Sequence, residues 1–219
     1  MNKRLSVLAT GVFMIAAVNS AHAELFANPV SKSKTGAWEG SGHFGLSSVE
    51  YEVGASSPEI DRTFLGATFA YGMNNSIDIY GTLSYTLEAE VENSSTDGDG
   101  IIFGGGVRGQ IPTNMEVALH GYAQLVFIDE DYGGNADGEE TYLMAGVVAA
   151  KALDNNIKLY GGLELNLIGD LEVGSTDADR DDFLGFRLGA NFTMGNLLLN
   201  VNTALIHESG IFISASKVF

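Results

Sequence analysis

The run Ile77 to Glu92, IDIYGTLSYTLEAEVE, narrows what this chain can fold into more than any other feature. Its odd positions, Ile77, Ile79, Gly81, Leu83, Tyr85, Leu87, Ala89 and Val91, carry no charge. Its even positions hold Asp78, Tyr80, Thr82, Ser84, Thr86, Glu88, Glu90 and Glu92. A strand sends successive side chains to opposite faces, so this is a two-faced strand, apolar on one side and polar on the other. The pattern returns in Ile157 to Glu172, IKLYGGLELNLIGDLE, with Tyr160-Gly161 in the place of Tyr80-Gly81. Ser175-Thr176-Asp177 likewise repeats Ser95-Thr96-Asp97.

Further strands follow the same alternation. They are expected at about Ala37 to Val53, Arg62 to Met73, Ile101 to Ile111, Met115 to Ile128, Thr141 to Leu153, Phe183 to Met194, Leu197 to His207 and Ile211 to Phe219. In the first, Trp38, Gly40, Gly42, Phe44 and Leu46 share one face, but Val49, Tyr51 and Val53 are apolar in the opposite phase. That implies a bulge near Ser47-Ser48, or a strand that has left its apolar surroundings. Short turns at Asn74-Asn75, Pro112 to Asn114, Asp154 to Asn156 and Gly195-Asn196 alternate with longer loops that are mostly acidic. Asn, Asp and Gly tolerate the backbone that tight hairpins require. The chain therefore reads as all-β, an antiparallel up-and-down meander of about ten strands, with eight as the alternative count. A meander of this size closes into a barrel to leave no unpaired edge.

The N-terminus lies outside that pattern. Lys3 and Arg4 precede an apolar run from Leu5 to Val18, and Ala21-His22-Ala23 has the small-x-small form of a cleavage site. Residues 1–23 are expected to be a secretory signal peptide. Residues 24–36 are read as a periplasmic N-terminal tail and 37–219 as the barrel. There is no cysteine, so disulfides, thiolate metal sites and a lipidated cysteine after the signal are excluded. The whole chain has a formal charge of −17. Losing Lys3 and Arg4 makes it two units more negative, which argues against nucleic acid as a partner.

Alternation alone leaves the apolar face free to point inward, as in a soluble ligand-binding barrel, or outward into lipid. Loop asymmetry favours the membrane. So does the length of the uncharged faces, which exceeds the ~9–11 residues of a tilted crossing. Trp38, Tyr71, Tyr85, Phe127 and Phe219 sit towards strand ends, as interfacial aromatics do. The last strand carries Ile211, Ile213 and Ala215 in phase and ends on Phe219. In these features the sequence resembles the outer-membrane β-barrel proteins of Gram-negative bacteria, small porin-like barrels included. The resemblance covers the signal peptide and the whole barrel; Lys217 departs from its pattern. It implies a closed transmembrane barrel in the cell outer membrane, in contact with membrane lipids and lipopolysaccharide. It also implies that Phe219 is read by the barrel assembly machinery. The short turns are then periplasmic and the acidic loops extracellular.

The lumen-lining positions on this reading are Asp78, Tyr80, Glu88, Arg108, Glu116, His120, Tyr122, Glu164, Asp170 and Arg187. They form a polar core that plugs a narrow barrel or line a path for a small solute. The acidic loops, with Asp97, Asp99, Asp177 and Asp179 and the stretch Asp129 to Glu140, are a candidate for divalent cations such as calcium. None of them fits the full twelve-residue calcium loop. His207-Glu208-Ser209 resembles the His-x-Ser of lipid A deacylases, but no acid follows Ser209 to complete a triad. No catalytic residue, metal site or cofactor is expected. A structural, surface-interaction or small-channel role follows, with a barrel-borne lipid hydrolase as the alternative.

Overall fold

The structure is a computed structural model that describes residues 26–53, 57–92, 97–133, 137–173, 176–180, 183–205 and 209–219; of 176–180, only Ala178 has a described side chain. Residues 1–23, expected to be a signal peptide, lie outside these residues. Among the described residues there are eleven strands: β1 (Trp38–Glu52), β2 (Glu59–Gly72), β3 (Ile77–Val91), β4 (Asp97–Ile111), β5 (Ala118–Asp131), β6 (Asp137–Ala152), β7 (Ile157–Val173), β8 (Thr176–Arg180), β9 (Leu184–Met194), β10 (Leu197–Leu205) and β11 (Ser209–Val218). All pairings are antiparallel, and β11 closes on β1 from Glu39↔Val218 to Ser48↔Ser209. Both β8 and β9 pair with β7, one above the other, so they act as one interrupted stave. The result is a closed ten-stave up-and-down barrel.

The turns form as the side chains dictate. Asn74 Oδ1 accepts from the backbone N–H of Ser76 and Ile77, and Asp154 Oδ1 accepts in the same way from Asn156 and Ile157. Gly195, at φ 62°, supplies the left-handed residue of the β9–β10 turn.

Around the ten-stave part the outer surface is apolar: Leu65, Phe69, Ile79, Leu83, Phe103, Leu163 and Ile213 are all exposed. Polar and charged side chains lie inside. This is the reverse of a soluble barrel and matches a barrel that spans lipid. Trp38 packs on Tyr71 with ring centroids 5.0 Å apart near one rim, where Phe219 N–H also donates to Trp38 O.

Strand lengths divide the barrel into two levels. β1 to β7 have 14–17 residues, whereas β9, β10 and β11 have 11, 9 and 10. The shorter set matches a membrane crossing of ~9–11 residues. The longer set runs on by about five residues, or ~16 Å. Above the short β10–β11 hairpin, β8 pairs directly with β1 through Tyr51↔Arg180 and Glu52↔Asp179. The barrel therefore has ten staves in its membrane half and narrows to an eight-stave collar at the end away from the short turns. Eight staves enclose an interior that side chains can fill. The collar is filled by Val49, Tyr51, Ile60, Ala89, Tyr132, Leu171 and Ala178.

This explains the phase change in β1. Its register with β2 and β11 is unbroken through Ser47 and Ser48, so there is no bulge there. Val49 and Tyr51 stay on the inward face, which turns apolar inside the collar.

True bulges occur in β3 and β7. Thr86 pairs with Gly100 and Ala89 with Gly98, leaving one extra residue around Leu87. Leu143 pairs with Ile168 and Met144 with Asn166, leaving Leu167 extra. Each bulge moves everything above it to the other face.

Candidate functional site: the filled lumen

Each layer of the interior is built on one arginine. Nearest the short turns, Arg108 (β4) donates from Nη2 to Glu39 at 2.9 Å and to Asp78 at 3.2 Å, and from Nη1 to Asn28 O at 3.0 Å. In the middle, Arg187 (β9) holds Glu164 through Nε at 2.7 Å and Nη2 at 3.0 Å, and Tyr122 OH donates to the same carboxylate at 2.6 Å. Asn191, Asn200, Asn202 and Tyr160 continue this layer as a hydrogen-bond chain. Under the collar, Arg62 (β2) meets Glu130 at 3.0 Å and Glu140 at 3.1 Å and donates to Tyr51 OH at 3.1 Å. Thr86 and Tyr132 hydroxyls complete the shell of Glu130. Arg62 and Arg187 are 2 % and 0 % exposed. Buried charges persist when each is paired, as each of these arginines is with at least one carboxylate.

Between the ionic layers lies apolar packing: Phe64, Ile102, Val126, Ile128, Tyr142, Met144, Val148 and Phe212. Several inward aromatics lie over a glycine on the neighbouring strand. Tyr80 faces Gly106, Tyr122 faces Gly146, Tyr160 faces Gly189 and Phe64 faces Gly45. A Cβ on Gly146 would stand 2.4 Å from Tyr122 Cζ. Gly146→Ala is therefore expected to cost about 1–3 kcal/mol by overpacking, read as a lower urea midpoint in detergent micelles. Gly42→Ala, where the new Cβ meets nothing within 4 Å, is the control and should not lower it.

The N-terminal segment completes the filling. Read from sequence as a periplasmic tail, residues 26–33 instead pack inside the ten-stave half. Phe26 is fully buried against His43, Phe64 and Phe212, with ring centroids 5.5, 5.4 and 6.5 Å away. Thr68 Oγ1 donates to Phe26 O, Asn28 Nδ2 to Asn191 Oδ1, Ser31 Oγ to Glu39, and Ser33 N–H to Asp78. The physical reason is width. Ten staves enclose more space than their own side chains occupy, and an irregular segment can enter only where its backbone groups find partners.

Of the positions assigned to the lumen by alternation, Asp78, Tyr80, Arg108, His120, Tyr122, Glu164 and Arg187 are buried inside. Glu88, Glu116 and Asp170 are not. Glu88 and Asp170 lie above the Leu87 and Leu167 bulges, which turn them outward, and Glu116 sits in the turn that precedes Ala118. Alternation missed Glu39, His43, Arg62, Glu130 and Glu140. Composition places Glu130 and Glu140 in the acidic stretch 129–140, yet they are buried counter-ions of Arg62 in β5 and β6. Glu130 keeps the even phase of Tyr122 and Gln124, and that phase was the available signal. Of the His-x-Ser motif, Ser209 is buried opposite Ser48 and His207 lies outside the described residues. No group of three or more acidic or histidine side chains suited to a metal ion occurs among the described residues.

No protein-family model and no curated protein sequence matches this chain. Solved structures do. An outer membrane channel from Pseudomonas putida F1 matches at 12% identity with a TM-score of 0.56, covering 88% of this chain and 100% of that one. The translocator domain of the autotransporter NalP from Neisseria meningitidis matches at 13% identity with a TM-score of 0.47, covering 98% and 97%. The fold is that of an outer-membrane β-barrel.

Proposed function

We propose that this chain is an exported outer-membrane protein that works as a closed barrel, structural and surface-interacting, with no reaction of its own. The observation that carries this reading is the filled lumen. Three arginine layers, the inserted segment 26–33 and the apolar collar succeed one another along the described interior. Purified protein in liposomes is expected to leave the uptake of small sugars at the rate of empty liposomes; uptake that rises with protein content would refute a closed barrel.

The surface role is supported by the collar's outer face. There Asp61 pairs with Glu90, Glu90 with Asp97, Asp99 with Asp131, Asp131 with Asp137, Asp129 with Glu139, and Glu139 with Glu172. Like charges directly opposite one another destabilise a sheet. A belt of such pairs suits divalent cations that bridge it to lipopolysaccharide phosphates. Added Mg²⁺ should raise the thermal midpoint more than NaCl of equal ionic strength, and equal effects would leave only screening. Phe219, exposed at the end of the last strand with Lys217 Nζ 5.4 Å over its ring, is the proposed contact for barrel assembly.

A further inference from the structure

The opposite mouth of the barrel has the opposite character. Inside the periplasmic rim lies a cavity of about 490 Å³, bounded by the inserted segment, the turn at 154–156 and the inward faces of β5, β7, β9 and β10. Lys32 on the inserted segment and Lys158 on β7 both line it, with Gln110, His120 and Asn155. Lys158 shares the inward face of β7 with Tyr160 and Glu164, so its ammonium is directed to the lumen and not to lipid. Among the described lining residues the acid is Asp154, and its Oδ1 is already engaged by the backbone N–H groups of Asn156 and Ile157. The acids deeper in the barrel, Glu39 and Asp78, share the single guanidinium of Arg108, and Asp78 Oδ1 has no hydrogen-bond partner. His120 is 4 % exposed, and its Nδ1 has no hydrogen-bond partner. Lys158, Arg108 and Lys32 all act on its ring electrostatically.

Two ammonium groups from separate parts of the chain thus converge on one cavity, in a protein whose formal charge is −17. Amide donors and a buried imidazole with a free nitrogen surround them. We infer that this cavity is a binding site for a small oxyanion, carboxylate or phosphate, entering from the periplasmic side. Lys32 and Lys158 would supply the charge, and Gln110 and Asn155 the directional hydrogen bonds. The inserted segment would then have a second use, since it brings Lys32 to the site.

The test is a titration of the full mature protein in detergent micelles, followed by the backbone amide NMR signals of Lys32, His120 and Lys158. The probes are inorganic phosphate and acetate, each against chloride at matched ionic strength. The expected result is a saturable shift confined to the cavity, weakened at least tenfold in the Lys32→Ala/Lys158→Ala double variant. Lys151→Ala, on the exposed face at the same end, should bind as the parent does. Response to phosphate but not acetate, or the reverse, would assign the oxyanion. Shifts that do not saturate, that chloride reproduces, or that Lys151→Ala weakens as much as the double variant would overturn the site.

Discussion

Arg62→Ala is expected to destabilise the folded barrel by about 3–5 kcal/mol, the usual cost of removing one partner from a buried ion pair. Two carboxylates, Glu130 and Glu140, meet this guanidinium, and all three side chains are almost fully buried. Without the arginine, two negative charges would share a site closed above by the collar and below by Phe64, Ile102 and Ile128. The cost is one of desolvation, so making the site neutral should recover most of it. Arg62→Met combined with Glu130→Gln and Glu140→Gln is expected to lie within about 1–2 kcal/mol of the parent, as neutral packing often does against a buried triad. Urea unfolding in lipid vesicles measures both. An Arg62→Ala variant that loses less than about 1 kcal/mol, the scale of an exposed pair, would mean that water reaches this layer.

Phe26→Ala is the second large effect, expected at about 3–5 kcal/mol for a phenylalanine deleted from a packed interior. The ring is held between His43, Phe64 and Phe212, which come from three different strands. Deleting residues 26–33 should cost more, because Glu39, Asp78, Arg108 and Asn191 each lose a hydrogen-bond partner as well. The deletion should still not make the barrel leaky. The Arg62 layer and the eight-stave collar stand above the space it vacates, and neither draws on the inserted segment. A Phe26→Ala variant with an unchanged urea midpoint would contradict the packing described here. A deletion that conducts ions would show that the segment alone seals the barrel.

Much of this architecture is legible in the residues. Strand alternation and turn residues lead directly to an up-and-down barrel, because a strand's period of two admits no compromise between faces. The inward placement of Asp78, Tyr80, Arg108 and Glu164 follows from the same parity. A bulge escapes it because one inserted residue leaves no signature of its own. At Leu87 the hint is indirect: keeping Glu88, Glu90 and Glu92 in phase with Ser84 would bury three carboxylates. Residues 26–33 were hidden for another reason. Their backbone has no period, and their partners are dozens of positions or more away, as Asn28 is from Arg108 and Asn191. Glu130 and Glu140 were obscured by composition, since their acidic neighbours suggested a solvated loop while their parity placed them inside. The collar could not be foreseen from strand counting, for it depends on how far β8 continues past the end of β10 and β11.

The closed lumen is tested most directly by single-channel recording of the full mature protein in a planar lipid bilayer. A flat baseline, unchanged by Arg187→Ala, is the predicted result. Regular current steps that scale with protein content, and that change in size on replacing Arg62 or Arg187, would contradict it.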